Sequence, residues 1–232
     1  MGQNIDQPHP PTVSELRRER ERTEMADRIM AAARDMFVRD GYEAVTLRKI
    51  AEAIEYSPGA IYQYFKDKKD LVRAIIVKDS HDLRQHLLEC LTLDHPVEQL
   101  VEMARRYAAW GIAHPNHYRL LLVPPPVWAE QDRELRGQIP LEKEVLHVLN
   151  VLVKGAIDRG LLKEKHNQPS LVAATLWAGI HGSVLLEVTM TSEDRILLGG
   201  ADDDFNSRFN TLKEVFLDGF LKDRGLVDDQ NV

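Results

Sequence analysis

Thr46-Leu-Arg-Lys-Ile-Ala-Glu-Ala-Ile-Glu-Tyr-Ser-Pro-Gly-Ala-Ile-Tyr-Gln-Tyr-Phe65 reads as two short helices joined by a tight turn. Thr46 suits the N-cap of the first helix, because its hydroxyl can accept from an orphan N–H of the first turn. Lys49 stands where a capping box would want Glu, so that cap is half made. Leu47, Ile50 and Ala51 share the inward face. Ser57 is placed to cap the second helix, with Pro58 at the first helical position, where its missing N–H costs nothing. Ile61 and Phe65 then return to a core one turn apart, and Ser57, Tyr62, Gln63 and Tyr64 are left facing outward.

Working upstream, Ile29, Ala33, Met36 and Phe37 form one apolar stripe on a helix spanning about Met25 to Arg39. Asp40-Gly41 ends it, glycine supplying the left-handed cap. Before it, Glu15 to Glu24 alternates charge signs as a solvated helical arm would, and Arg17, Arg18, Arg20 and Arg22 are in reach of phosphates. Residues 1 to about 13 have no periodicity. Downstream, Asp67 caps a fourth helix of roughly Lys68 to Leu91, with Asp70 at N3 and Leu71, Ala74 and Ile75 on its buried face.

Every later segment keeps the helical period: Pro96 to Ala113, Asn116 to Val123, about Leu141 to Arg159 closed by Gly160, Pro169 to Thr189, and Phe205 to Arg224 before Gly225. Pro124-Pro-Pro126 cannot be helical. There is no alternating strand pattern, no internal repeat and no glycine-rich phosphate loop. The expected fold is all-α, with about nine helices. Residues 1–21 are expected to form a disordered or extended basic/acidic arm, 22–67 a three-helix head with a DNA-binding helix-turn-helix, 68–225 a helical ligand-binding and dimerisation domain and 226–232 a flexible tail.

The chain carries a net charge of −7, which at first argues against a nucleic-acid partner. Dividing it changes the picture. Residues 14 to 78 hold fourteen Lys or Arg against twelve Asp or Glu, a net of +2, while the remainder holds sixteen against twenty-five, a net of −9. Screening confines fields to about 8–10 Å at physiological salt, so the local balance governs phosphate attraction. Cys90 is the only cysteine, which excludes an internal disulfide and fits a reducing cytoplasm. It reads as buried filler. No apolar run approaches the roughly 20 residues needed to span a bilayer, and the polar, proline-bearing start lacks a signal core. A cytoplasmic protein with no membrane partner is expected.

A helix-turn-helix lays its second helix in the major groove, which is about 12 Å wide, and small leading residues let it sit deep. Gly59 and Ala60 give that clearance. Gln63 can pair bidentately with adenine, a contact worth about 1–3 kcal/mol of discrimination. Thr46, Arg48 and the N–H groups that open the first of the two helices suit a phosphate, as does Lys68 at the start of the fourth.

At this point the residues resemble a known family. Ile29…Ala33…Phe37, Gly41-Tyr42, Thr46 to Ala51, Ser57 to Phe65 and Lys68-Lys-Asp-Leu71 are similar to the DNA-binding head of the TetR family of bacterial transcriptional regulators. The likeness covers Thr23 to Lys78, about a quarter of the chain. It implies DNA contacts at Thr46, Arg48, Ser57, Gly59, Ala60, Tyr62, Gln63, Tyr64 and Lys68. It also implies a homodimer on a palindromic operator of double-stranded DNA, most often a repressor released when a small molecule enters the carboxy-terminal domain. One departure stands out. Members usually carry glycine in the turn where this chain has Glu55, which costs about 1 kcal/mol if the backbone there is left-handed.

The body must be read locally. Trp177-Ala-Gly-Ile-His-Gly182 resembles the Trp-x-x-x-His-Gly signature of one carboxy-terminal subgroup. Ala174, Ala178 and Gly182 recur every fourth residue, a stripe that permits close helix approach. With Leu212, Phe216 and Phe220 on the last helix they are the expected dimer surface, a four-helix bundle between subunits. Met103, Tyr107, Trp110, Tyr118, Leu122, Trp128, Trp177 and His181 are the expected wall of a mostly apolar effector cavity, with the Pro124-Pro-Pro126 loop at its entrance.

Metal and catalysis find less support. His114 and His117 are three apart, but Pro115 breaks the helix between them, and His81 and His86 have no cysteine or paired carboxylate at ligand spacing. No nucleophile–base pair or acidic dyad stands out. The expectation is a regulator that is not an enzyme, with no cofactor and no metal. Its rivals are a helical carrier or enzyme with an idle DNA head, and an effector-independent activator or co-regulator.

Overall fold

The structure, a computed structural model, describes residues 12–122, 140–191, 193–194 and 204–223. Among these residues it is all-helical, with nine α-helices. They are α1 (Val13–Asp40), α2 (Leu47–Ala53), α3 (Pro58–Ile61), α4 (Lys68–Leu88), α5 (Pro96–Ala113), α6 (Pro115–Leu122), α7 (Pro140–Asp158), α8 (Pro169–Thr189) and α9 (Phe205–Phe220). A 3-10 turn, Glu89–Thr92, continues α4. The chain divides into two compact units, Met1–Ile75 and Ile76–Val232.

In the first unit α1 is longer than its apolar stripe. Thr12 and Glu15 form a full capping box, which starts the helix at Val13, well before the expected Met25. The stripe itself is buried at Ile29, Ala33, Met36 and Phe37, as are Leu47, Ile50, Ala51, Ile61 and Phe65 of the following helices. Burying each large aliphatic or aromatic side chain contributes about 1.5–3 kcal/mol, so these positions hold the three short helices together.

The turn after α2 has a definite chemistry. Tyr56 N–H donates to Ala51 O at 2.8 Å and Glu55 N–H to Glu52 O at 3.2 Å, the two bonds of a Schellman motif. That motif puts its penultimate residue in the left-handed region, and Glu55 has φ 61°. The residue is exposed, so the strain is a backbone cost only.

In the second unit α5, α7 and α8 pack pairwise, and α9 lies on α8. Gly160, with φ 69°, closes α7 through a second Schellman pair, Leu161 N–H to Ala156 O and Gly160 N–H to Ile157 O. The last helix was expected to reach Arg224, but it stops at Phe220. There the backbone leaves the helix to pair with the segment after α7. Lys163 N–H donates to Phe220 O and Lys222 N–H to Leu161 O, around an antiparallel bridge of Leu162 with Leu221.

Helix α8 also corrects an expectation. It is one helix long and apolar enough to cross a membrane by length and composition, contrary to the reading that no run approaches that size. Its polar residues are Ser, Thr and His with a single charge, Glu187, spread among Leu, Val and Ala, and the uncharged ones dilute hydropathy less than further charges would. It is a packed helix here, with Val172, Ala173, Ile180, Ser183, Val184 and Val188 buried. Only 28% of its most apolar window is buried, however, which leaves one side bare.

Candidate nucleic-acid interface and effector cavity

The short helix α3 exposes its outer edge. Ile61 and Phe65 are buried, while Ser57, Gly59, Tyr62 and Gln63 are exposed and Ala60 and Tyr64 half-buried. Tyr62 keeps 59% of its surface and Tyr64 is half-buried, so neither tyrosine is in the buried core. Ser57 departs from expectation, because its side chain makes no capping hydrogen bond. Pro58 starts α3 by fixing its own backbone, and the Ser57 hydroxyl is not used to hold the helix.

At α2 the Thr46 hydroxyl accepts from Lys49 N–H at 3.2 Å, and Lys49 Nζ donates to Ala44 O at 2.8 Å. Lys49 at N3 therefore tethers the preceding loop. Arg48 Nε donates to Glu52 at 2.9 Å, with both side chains largely in water. An exposed pair of this kind contributes only about 0.3–0.5 kcal/mol, so a phosphate can displace it.

Lys68 has a second task. Its ammonium donates to Tyr42 O at 2.9 Å and Val45 O at 3.1 Å, and it stands 3.9 Å over the Tyr42 ring. Burial pushes its pKa below the ordinary lysine value, despite the charge of Glu43 nearby. The side chain clips the start of α4 to the loop before α2. Asp67 accepts from Asp70 N–H at 2.8 Å and Asp70 from Lys66 N–H at 3.0 Å, which finishes the cap.

The second unit holds a partly open cavity of about 110 Å³. Of the expected wall, Met103, Tyr107 and Trp177 line it. Tyr118 and His181 sit behind the wall, joined to Tyr107. Both hydroxyls lie 2.8 Å from His181 Nδ1, Tyr107 O–H points to Tyr118 Oη at 3.4 Å, and Tyr118 O–H donates to His181 O at 3.2 Å. A proton on Nδ1 satisfies all four contacts at once. Burial pushes the Tyr118 phenol up to about 12. The His181 ring stacks on Trp177 at 4.7 Å, which connects this cluster to the wall.

Trp110 is buried against His114 and His117 instead. Leu122 packs at the edge of the core away from the cavity lining. Trp128 and the Pro124-Pro-Pro126 loop lie outside the described residues. What the sequence reading missed is α9. Leu212, Phe216 and Phe220, expected at a dimer surface, line the cavity with Phe209 and Leu217. Ala174 and Ala178 are exposed, and Gly182 is half-buried.

The histidine pair also differs from expectation. Pro115 does end α5 at Ala113, yet the rings of His114 and His117 come within 5.2 Å, because α6 restarts immediately and Tyr118 N–H donates to His114 O. His117 Nδ1 lies 3.2 Å from the fully buried carboxylate of Asp79. Among the described residues no group of three or more His, Cys, Asp or Glu is arranged to hold a metal.

A family model described as "Bacterial regulatory proteins, tetR family" matches residues 29–75, and one described as "Tetracyclin repressor-like, C-terminal domain" matches residues 100–193. The HTH-type transcriptional regulator UidR of Escherichia coli (strain K12) is 32% identical over 75 residues. That alignment covers 32% of this chain and 38% of UidR. The transcriptional regulator FadR of Bacillus subtilis, in complex with stearoyl-CoA, superposes with a TM-score of 0.63 at 20% identity, covering 83% of this chain and 97% of that one. A Saccharomonospora viridis protein in complex with choline superposes with a TM-score of 0.69 at 16% identity, covering 87% and 100%. Together the two family models span both units, and the solved structures share the fold.

Proposed function

We propose that this chain, which belongs to the TetR family of bacterial regulatory proteins, is a homodimeric, DNA-binding transcriptional regulator released from a palindromic operator by a small, mostly apolar effector. The observation that carries this is α3. Its inward residues, Ile61 and Phe65, anchor it, while Tyr62 and Gln63 stand in solvent beside the small residues Gly59 and Ala60. A helix that spends only one edge on its own core has the other free for base edges. Thr46, Arg48 and the opening N–H groups of α2 serve the phosphate backbone. Lys68 contributes through the loop it clips and the positive charge it keeps at the start of α4.

Dimerisation is read from the bare side of α8. Leu171 is 61% exposed, and Ala174, Ala178 and Leu186 continue the stripe; on α9 Val215 is 60% exposed. Gly182 has open space beyond its Cα, so a partner helix can approach closely there. A second copy of the same two helices would cover this face with a self-complementary one. Leu212, Phe216 and Phe220 then contribute from behind, by holding α9 in place.

The effector site is the cavity of the second unit. Release follows from linkage: a ligand that binds better to a dimer with the wrong head spacing draws population away from the operator-bound form. A preference of about 2.7 kcal/mol lowers operator affinity roughly a hundredfold. The solved neighbours hold ligands of opposite charge, a coenzyme A thioester in one and choline in the other, so effector chemistry must come from this chain's own residues.

The test is selection of bound duplexes from a random pool, followed by anisotropy titration of the winning sequence. The expected result is a palindromic consensus bound by two chains. Tyr62→Ala and Gln63→Ala each weaken it by about tenfold or more, and Arg48→Ala reduces the salt dependence by roughly one counterion. A pool without consensus, or full affinity in Tyr62→Ala, would overturn the reading.

A further inference from the structure

Helix α1 carries the core stripe of the head, yet it begins long before that stripe does. From Val13 to Glu24 every residue is exposed, and partial burial sets in only at Met25. Twelve residues at 1.5 Å each project about 18 Å, the length of roughly five base pairs. This overhang has no packing of its own, so its helix depends on the cap. The Thr12–Glu15 box supplies one, with the Glu15 carboxylate accepting from Thr12 N–H and O–H at 2.8 Å each.

The arginines of the overhang are not equivalent. Arg22 stands two helical turns before Ile29 and Arg18 three, so both continue the buried stripe beyond the end of the core. Arg20 points about 180° away from that face. Arg17 is also turned aside and lies 3.5 Å from Glu21, whereas Arg18 and Arg22 make no ion pair among the described residues. Glu19, Glu21 and Glu24 stand about 80° or more from the Arg18–Arg22 face. Two like charges one turn apart repel slightly on a helix left to water. Opposite a row of phosphates the same pair is complementary.

One contact locates the overhang. The Arg28 guanidinium lies 5.7 Å over the ring of Tyr56, the residue before the Ser57-Pro58 start of α3. Helix α1 thus leaves the core beside the leading end of α3, and Arg22 and Arg18 follow about 9 and 15 Å further along its axis. They face the side that α1 turns to α2.

We propose that the overhang is a second grip on the operator, in which Arg18 and Arg22 hold backbone phosphates of the duplex just outside the base pairs that α3 reads. This rests on reading α3 as the base-reading helix. Such a contact adds affinity and salt dependence without sequence preference. Anisotropy titrations of the full chain test it with two versions of the selected duplex. One ends at the consensus, and the other carries about six further base pairs of arbitrary sequence at each end.

The wild type is expected to bind the longer duplex about tenfold tighter at moderate salt. Arg18→Gln combined with Arg22→Gln should bind both duplexes alike, with the same consensus and a salt slope shallower by about two per chain. Arg20→Gln, on the opposite face, should keep the full advantage. All three positions are exposed, and an unchanged consensus establishes that the head is folded. An advantage that survives the double substitution, one that Arg20→Gln loses equally, or none in the wild type would each overturn the assignment. Those outcomes leave the consensus, and with it the reading of α3, intact. A pool without consensus is the separate failure that removes both.

Discussion

Gly111 and Tyr118 stand so close that a methyl group on Gly111 would lie 2.8 Å from Tyr118 Cδ2, and 2.6 Å from Val184 Cγ1. Neither neighbour has room to yield, since both are fully buried and the Tyr118 hydroxyl is tied to His181. Gly111→Ala is therefore expected to cost about 1–3 kcal/mol, outweighing the gain of about 1 kcal/mol that alanine brings to a helix. Gly155→Ala is the control: nothing lies within 4 Å of its added carbon, and it should gain up to about 1 kcal/mol. Thermal melts of the two variants check this, and equal midpoints would contradict it.

Glu55 occupies a left-handed position at φ 61°. Glu55→Gly should relieve about 1 kcal/mol of backbone strain, partly offset by the greater freedom of glycine in the unfolded chain. The net expectation is a stabilisation of about 0.5 kcal/mol, with Glu55→Val moving the other way by more. Urea midpoints followed by far-UV dichroism decide the sign.

Glu102 accepts from Arg105 at 2.6 Å and from Arg106 at 2.7 Å. These bonds, the one from Arg105 first, hold its carboxyl below the ordinary value of 4.5. For a carboxylate whose folded pKa is depressed, the folded state gains while the unfolded one would already be ionised. The contribution is complete above about pH 4.5 and fades as pH falls through the lower folded value. Glu102→Gln should cost about 1 kcal/mol at neutral pH, and the gap to wild type should narrow below pH 4.5. A gap independent of pH would mean the carboxylate charge has no such role.

Ala178 lies on the exposed stripe of α8, away from the cavity wall. Ala178→Arg should abolish self-association, because a guanidinium would be placed at the centre of a close helix contact, while the helical content stays unchanged. Sedimentation velocity of the folded variant gives the answer. A dimer that persists would move the interface elsewhere.

The amino-terminal head was legible in the sequence because its determinants are local. Thr46, Pro58 and Asp67 punctuate helices through their own backbones or those of residues three away, and the 3.6-residue period selected Ile29, Ala33, Phe37, Ile50, Ile61 and Phe65 as core. Even the strained turn at Glu55 was readable from a missing glycine. The Thr12–Glu15 capping box that begins α1 was present in the sequence as Thr-x-x-Glu and went unread, hidden in a run of charges.

In the body the helices were legible and their partners were not. Leu212, Phe216 and Phe220 were correctly grouped as one apolar face, but apolar burial has no direction, and the pattern does not state whether a neighbouring helix, a second subunit or a cavity lies opposite. His114 and His117 were separated on paper by Pro115, yet the rings meet because α6 restarts within one residue. The sequence alone determined where helices begin, end and turn their apolar sides, since caps, prolines and periodicity act within a few residues. Only the tertiary structure decided that α9 lies on α8 and lines a cavity with Phe209, Leu212, Phe216 and Leu217. That depends on the level at which Gly179 admits Phe216, a contact between residues far apart in the chain that no local rule specifies.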